Sequence, residues 1–110
     1  MESSNPNHAY LINQIHTTPV LVYSWVNCPY CVRAKETLRK MGVNPVVYEL
    51  DTMPNGDQIL NHLFEMTNQE TVPNIFIGGK HIGGNSDLQD GLKNGSVKEK
   101  LRQAGVNFTS

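Results

Sequence analysis

The apolar side chains of this chain change period at one junction, and the change falls on S-W-V-N-C-P-Y-C-V, residues 24–32. Upstream, Val20-Leu21-Val22-Tyr23 is a short continuous apolar run, the pattern of a strand buried on both faces. Downstream, Cys31, Ala34, Leu38 and Met41 recur at helical spacing and share one face. Gly42 is placed to end that helix in the left-handed conformation. Any fold for this chain must therefore carry a strand into a helix across Cys28-Pro29-Tyr30-Cys31, which holds both of its cysteines.

The remaining elements alternate around this junction. Asn5-Pro6 reads as a helix start, with a capping side chain before proline at the first helical position. Leu11, Ile12 and Ile15 give that helix an apolar face, and Pro19 closes it off. Residues 46–50 read as a second strand. Asn55 and Gln58 resemble a capping box for a helix with Ile59, Leu63 and Met66 inside. Residues 74–77 and 80–82 read as strands joined by the two-residue turn Gly78-Gly79, which makes a hairpin. Ser86 and Ser96 are expected to cap two short helices, the second with Glu99 completing a box and Gly105 as its stop. The order αβαβαββαα implies a parallel βαβ unit extended by an antiparallel hairpin. The expected fold is α/β and thioredoxin-like, a four-stranded mixed sheet flanked by helices. The 110 residues are expected to form one domain, with residues 1–8 and 106–110 flexible.

A hydrophobic content of 38% argues for a packed globule rather than a disordered chain. Nine basic and ten acidic side chains leave a net charge of −1, which provides no field for nucleic acid or an anionic membrane. The opening M-E-S-S-N-P-N-H lacks the charged-then-apolar order of a secretory signal, and the first Lys or Arg is Arg33. The expected location is cytoplasmic. In a reducing compartment a lone C-x-x-C is redox-active or metal-binding rather than a structural disulfide.

Cys28 falls at the cap position of its helix. Pro29 takes the first helical position, where no N–H is needed. The free N–H groups of Tyr30 and Cys31 can then point at the Cys28 sulfur, and the helix terminus favours thiolate over thiol. Cys28 is the expected nucleophile. Cys31, one turn on and on the apolar face, is the expected buried thiol that resolves a mixed disulfide on Cys28. Zinc needs four ligands, and no second cysteine pair exists. His8, His16, His62 and His81 are scattered along the sequence and read as solvated or satisfied side chains, so no metal is expected.

Two further stretches, Thr71-Val72-Pro73 and Gly83-Gly84-Asn85-Ser86-Asp87, stand in order after Cys28-Pro29-Tyr30-Cys31. Together they resemble the dithiol glutaredoxins, and the resemblance runs from about Tyr10 to Ala104. It implies a glutathione-dependent thiol–disulfide oxidoreductase that reduces protein–glutathione mixed disulfides and protein disulfides. Pro73 matches the family's cis-proline, which lets Val72 offer backbone N–H and C=O to the cysteinyl part of glutathione. Thr71, Val72, Pro73, Gly84, Asn85, Ser86 and Asp87 match the glutathione-binding positions. In that match, the Ser86 amide and hydroxyl sit at a helix start suited to a carboxylate, and Asp87 receives the α-ammonium.

Three positions depart from the family. Trp25 replaces a common lysine three residues before the first cysteine. Glu70 replaces a common basic residue before Thr71, and Leu60 falls where glutamine is frequent. A glycyl carboxylate meeting an indole and another carboxylate loses attraction and gains repulsion, each on the order of 1 kcal/mol. An amidated glycyl end carrying a polyamine cation suits Glu70 and can stack on Trp25, so a glutathione–polyamine conjugate such as trypanothione is an expected thiol co-substrate beside glutathione. A competing expectation is a module in which two chains share an iron–sulfur cluster through Cys28 and two thiols. The stiff helix start at Pro29 opposes it, and a monomer is expected.

Overall fold

The structure is a computed structural model, and it describes residues 7–109. Helix α1 spans His8–Thr17 and is capped by Asn7, whose side chain accepts a hydrogen bond from Tyr10 N–H at 2.9 Å. The start expected at Asn5-Pro6 lies outside the described residues. Strand β1 (Val20–Ser24) follows, then helix α2 (Pro29–Lys40), strand β2 (Val46–Glu49) and helix α3 (Gly56–Thr67). Strands β3 (Asn74–Ile77) and β4 (Lys80–Gly83) form the hairpin, and helices α4 (Asn85–Asn94) and α5 (Ser96–Gln103) complete the chain. Among the described residues, no helix is long and apolar enough to cross a membrane.

The sheet runs β2-β1-β3-β4, with β1 and β2 parallel and the other two pairs antiparallel. Its expected make-up and connections are observed. All five residues of β1 are buried, as a central strand covered on both faces demands. Successive side chains of a strand point to opposite faces, and β1 divides accordingly. Leu21 and Tyr23 join Leu11, Ile15, Ile59, Leu63 and Phe76 on the side of α1 and α3. Val20 and Val22 join Ala34, Leu38, Ile75, Leu88, Val97 and Leu101 on the side of α2, α4 and α5. The β3–β4 turn uses Gly78 and Gly79 at φ +58° and +80°, the two left-handed positions a tight hairpin requires.

Several local expectations are corrected. Strand β2 ends at Glu49, because Leu50 enters a short 3-10 turn (Leu50–Thr52) and buries its side chain there. Helix α3 starts after Asn55 as expected, without a side-chain capping bond. Neither Ser86 nor Ser96 is a cap. Gly84 and Gly95 hold those positions, and the serines lie inside the first turns. In place of a serine cap, the Asp87 carboxylate accepts the Gly84 N–H at 2.9 Å. Past α5, the described residues are hydrogen-bonded as far as residue 109. Val106 N–H donates to the Leu101 carbonyl and Thr109 N–H to the Met41 carbonyl, at 2.9 and 2.7 Å, while Phe108 packs on the second core.

Candidate active site

The Cys28-Pro29-Tyr30-Cys31 junction lies at the end of β1. The chain leaves the sheet at Ser24, crosses residues 25–27, and enters α2 with Cys28 as its cap and Pro29 as its first helical residue. The Asp51 carboxylate pins the crossing by accepting the Val26 N–H at 3.1 and 3.2 Å. Cys31 N–H donates to the Cys28 sulfur at 3.3 Å, so of the two amides expected to face that sulfur the second is the one in place. Both thiols are free. Cys28 is half-buried and Cys31 fully buried.

Burial is the main reason that the Cys31 thiol is pushed up to about 11, and its contact with the Cys28 sulfur adds to the effect. At neutral pH Cys31 therefore keeps its proton while Cys28 faces outward. That asymmetry is what a two-thiol exchange needs, since the attacking and the resolving sulfur must not act at once.

Opposite the thiols, the Val72–Pro73 peptide is cis, as expected. The Cys28 thiol donates weakly to the Val72 carbonyl, with sulfur and oxygen 3.8 Å apart. Beside this loop opens a groove of about 580 Å³, lined by Tyr30, Gln69, Thr71, Val72, Pro73, Gly84, Asn85, Ser86 and Asp87. The structure thus unites stretches more than forty residues apart in the sequence, and every expected glutathione-binding residue lies on this lining. Gly83, at φ +119°, lets the chain leave β4 and turn at once into α4. A Cβ at Gly83 would lie 2.3 Å from Asp87 Oδ2, so the backbone passes directly over that carboxylate. Trp25 and Glu70 are exposed and lie outside the groove's lining.

Other contributors carry no sequence signal. Gln69 donates from its one amide nitrogen to the Thr71 and Pro73 carbonyls, both at 2.9 Å, and so braces the cis-proline loop. Lys35, one turn past Cys31 on α2, is only 8% exposed and pairs with Glu49 at 2.6 Å. Glu49 ends the neighbouring parallel strand opposite Ser24, and a lysine stem reaching it must cross apolar surface. Burial alone would raise the Glu49 carboxyl. The Lys35 hydrogen bond, with Ser24 and the Lys35 charge, outweighs it and holds the group below its ordinary value.

A buried central strand delivering two cysteines to a helix start, with a cis-proline loop facing the outer sulfur, defines a thioredoxin-like thiol–disulfide oxidoreductase. The glutaredoxin family profile matches residues 20–82. The chain is 46% identical over 87 residues to glutaredoxin-1 of Rhizophagus irregularis, covering 79% of this chain and 86% of that one. It is 45% identical over 92 residues to glutaredoxin-C2 of Arabidopsis thaliana, covering 84% and 83%. Among solved structures, a buckwheat glutaredoxin–glutathione complex superposes with a TM-score of 0.87 at 34% identity, over 91% of each chain. A dithiolic glutaredoxin from Trypanosoma brucei brucei superposes with a TM-score of 0.79 at 37% identity, over 90% of this chain and 99% of that one. The chain belongs to the glutaredoxin family, enzymes of thiol–disulfide exchange.

Proposed function

We propose that this glutaredoxin reduces protein–glutathione mixed disulfides and protein disulfides, with glutathione as its thiol co-substrate held in the groove beside Cys28. The observation that carries this reading is the groove itself, in which Thr71, Val72 and Pro73 face Gly84, Asn85, Ser86 and Asp87 within reach of the outer thiol. The backbone of residues 71–73 lines the groove and suits an extended peptide. The first turn of α4 suits a carboxylate, and Asp87 suits an ammonium group.

In the reaction, the Cys28 thiolate attacks the glutathionyl sulfur of a mixed disulfide. The protein thiolate leaves and takes a proton, and Cys28 carries the glutathionyl group. A second glutathione then attacks that sulfur, releasing glutathione disulfide and the Cys28 thiolate. Alternatively Cys31 loses its proton, attacks Cys28 and releases glutathione, and two glutathiones reduce the internal disulfide. Cys28 alone suffices for mixed disulfides, whereas protein disulfides need both sulfurs. Cys31→Ser should therefore keep the first activity and lose the second, and Cys28→Ser should lose both. Loss of mixed-disulfide reduction in Cys31→Ser would overturn the assignment.

The glycyl end of the co-substrate is the finer question. Glu70 immediately precedes Thr71, and Trp25 precedes Cys28 by three residues. An acidic and an aromatic neighbour favour a co-substrate whose glycyl end is amidated and cationic, a glutathione–polyamine conjugate such as trypanothione, over plain glutathione. The test loads Cys31→Ser with a glutathionyl group on Cys28 and compares its reduction by glutathione and by the conjugate. Faster turnover by the conjugate, abolished in Glu70→Lys, supports the preference, and equal rates remove it.

A further inference from the structure

The fold also assembles three side chains that the sequence keeps apart. His8 is the first residue of α1, and His62 and Glu65 lie three apart on α3. His8 Nε2 is 2.8 Å from Glu65 Oε1, and His62 Nδ1 is 3.7 Å from the same oxygen. One ligand atom from each residue lies within 4.8 Å of the other two. The two imidazoles meet edge to face with centroids 4.8 Å apart. His62 Nδ1 is buried and makes no hydrogen bond among the described residues, a costly state for a polar atom. None of the three residues lines the groove beside Cys28.

We propose that His8, His62 and Glu65 bind a divalent late first-row cation of the zinc type, joining the first turn of α1 to α3. Two imidazole nitrogens and a carboxylate oxygen are the ligands such ions take, and calcium and magnesium prefer oxygen alone. Zinc–nitrogen and zinc–oxygen bonds of about 2.0–2.2 Å set two tetrahedral ligand atoms roughly 3.4 Å apart. The separations of 2.8 and 3.7 Å bracket that value. The remaining gap closes by rotation of His8, whose side chain is 47% exposed. The ion takes over the His8–Glu65 contact and gives His62 Nδ1 a partner. A water completes the fourth position from the solvent side.

Reading each histidine by itself hides this arrangement, because it arises only when α1 packs on α3. The test uses the tag-free full chain carrying Cys28→Ser and Cys31→Ser, so that thiolates do not compete for the metal. Zinc is titrated by calorimetry, and backbone amide NMR spectra locate the site. The expected result is one zinc per chain, shifts clustered around residues 8, 62 and 65, and a higher Tm with zinc. His62→Ala and Glu65→Gln, each added to that chain, should weaken binding at least about tenfold, since even outer-shell partners of metal ligands cost that much. His8→Ala should do the same, and its exposed position leaves the fold intact. No uptake below millimolar zinc overturns the site, as does uptake that any of the three substitutions leaves unchanged.

Discussion

Seen from Cys28, the outward side is made of loops and backbone. Here lie the Val72 carbonyl at 3.8 Å, the cis-proline loop, the turn from β4 into α4, and an open groove. Behind Cys31, the inward side is made of packed side chains on regular elements, including the fully buried Ser24 and the Lys35–Glu49 pair. The outward side presents loop backbone and short polar side chains along an open groove. The inward side leaves little room for change, because a buried ion pair tolerates the loss of neither partner. The enzyme thus separates recognition, which must be open, from the support of the resolving thiol, which must stay closed.

The strongest way to break that contrast is Lys35→Met. Removal of the ammonium leaves the Glu49 carboxylate, 26% exposed, without its cation. The expected cost is about 3 kcal/mol, the low end for breaking a buried pair because Glu49 keeps some water. For a domain of this size that lowers Tm by more than about 10 °C. The double substitution Lys35→Met with Glu49→Leu should recover most of the loss. The pH dependence has a fixed sign. Glu49 sits below its ordinary value of 4.5 in the fold, so its contribution is present above that value and fades as pH falls through the depressed one. Chemical denaturation across pH 3–7 should show an acid limb in the native protein that is reduced in the double variant. Equal Tm values for native and Lys35→Met chains would mean that the inward side is as tolerant as the outward one.

The outward side is tested next by Gly83→Ala. A side chain at φ +119° meets Asp87 Oδ2 at 2.3 Å, so either the turn or the carboxylate moves. The strain is about 2 kcal/mol. It should raise KM for glutathione while kcat for a fixed glutathionylated Cys28 stays near the native value. A change in kcat alone would place Gly83 with the chemistry rather than with binding.

A smaller effect separates the two thiols. Burial raises Cys31 from an ordinary 9.0 to about 11, so only a small thiolate fraction exists at neutral pH. With a glutathionyl group on Cys28, closure of the internal disulfide should accelerate about tenfold per pH unit between pH 6 and 9, following that fraction. The sign for stability matches. The raised thiol favours the fold below pH 9, and the advantage is lost as pH rises through 11. Stopped-flow fluorescence from Trp25 can follow closure, and a plateau near pH 8 would place Cys31 in a far more polar setting than its burial shows.

The same division explains what the sequence made legible. The outward side is written in short local strings, since a helix cap, a proline and a turn glycine each act within a few residues. Cys28 and Cys31 were therefore readable, and so was the element order through its periodicity, while the roles of Pro73 and of residues 84–87 came from the resemblance to the glutaredoxins. The inward side depends on partners distant in the chain. Lys35 looks like a surface lysine until β2 places Glu49 beside it, and Asp51 has no local reason to face Val26. Capping was misread for the opposite reason. Ser86 and Ser96 are good caps by composition, but the chain enters α4 through Gly83 at φ +119° and α5 through Gly95 at φ +85°, left-handed angles that place the helix starts ahead of the serines.

Gln69 lies between these two cases, a side chain that braces a loop, and it gives the mildest test. Its Nε2 donates to both the Thr71 and Pro73 carbonyls, so Gln69→Leu removes two hydrogen bonds, one exposed and one part-buried. The net cost is about 1 kcal/mol rather than the sum of two buried losses, because solvent replaces part of what is removed. The loss should fall on the loop more than on the global fold. Amide exchange at residues 70–72 should speed up roughly fivefold, with little change in the β1 amides. Glutathione KM should rise by a similar factor while Tm moves by only a few degrees. If exchange accelerates equally in β1, the cis-proline loop is not a separately braced recognition element, and the outward side is as tightly joined to the core as the inward one.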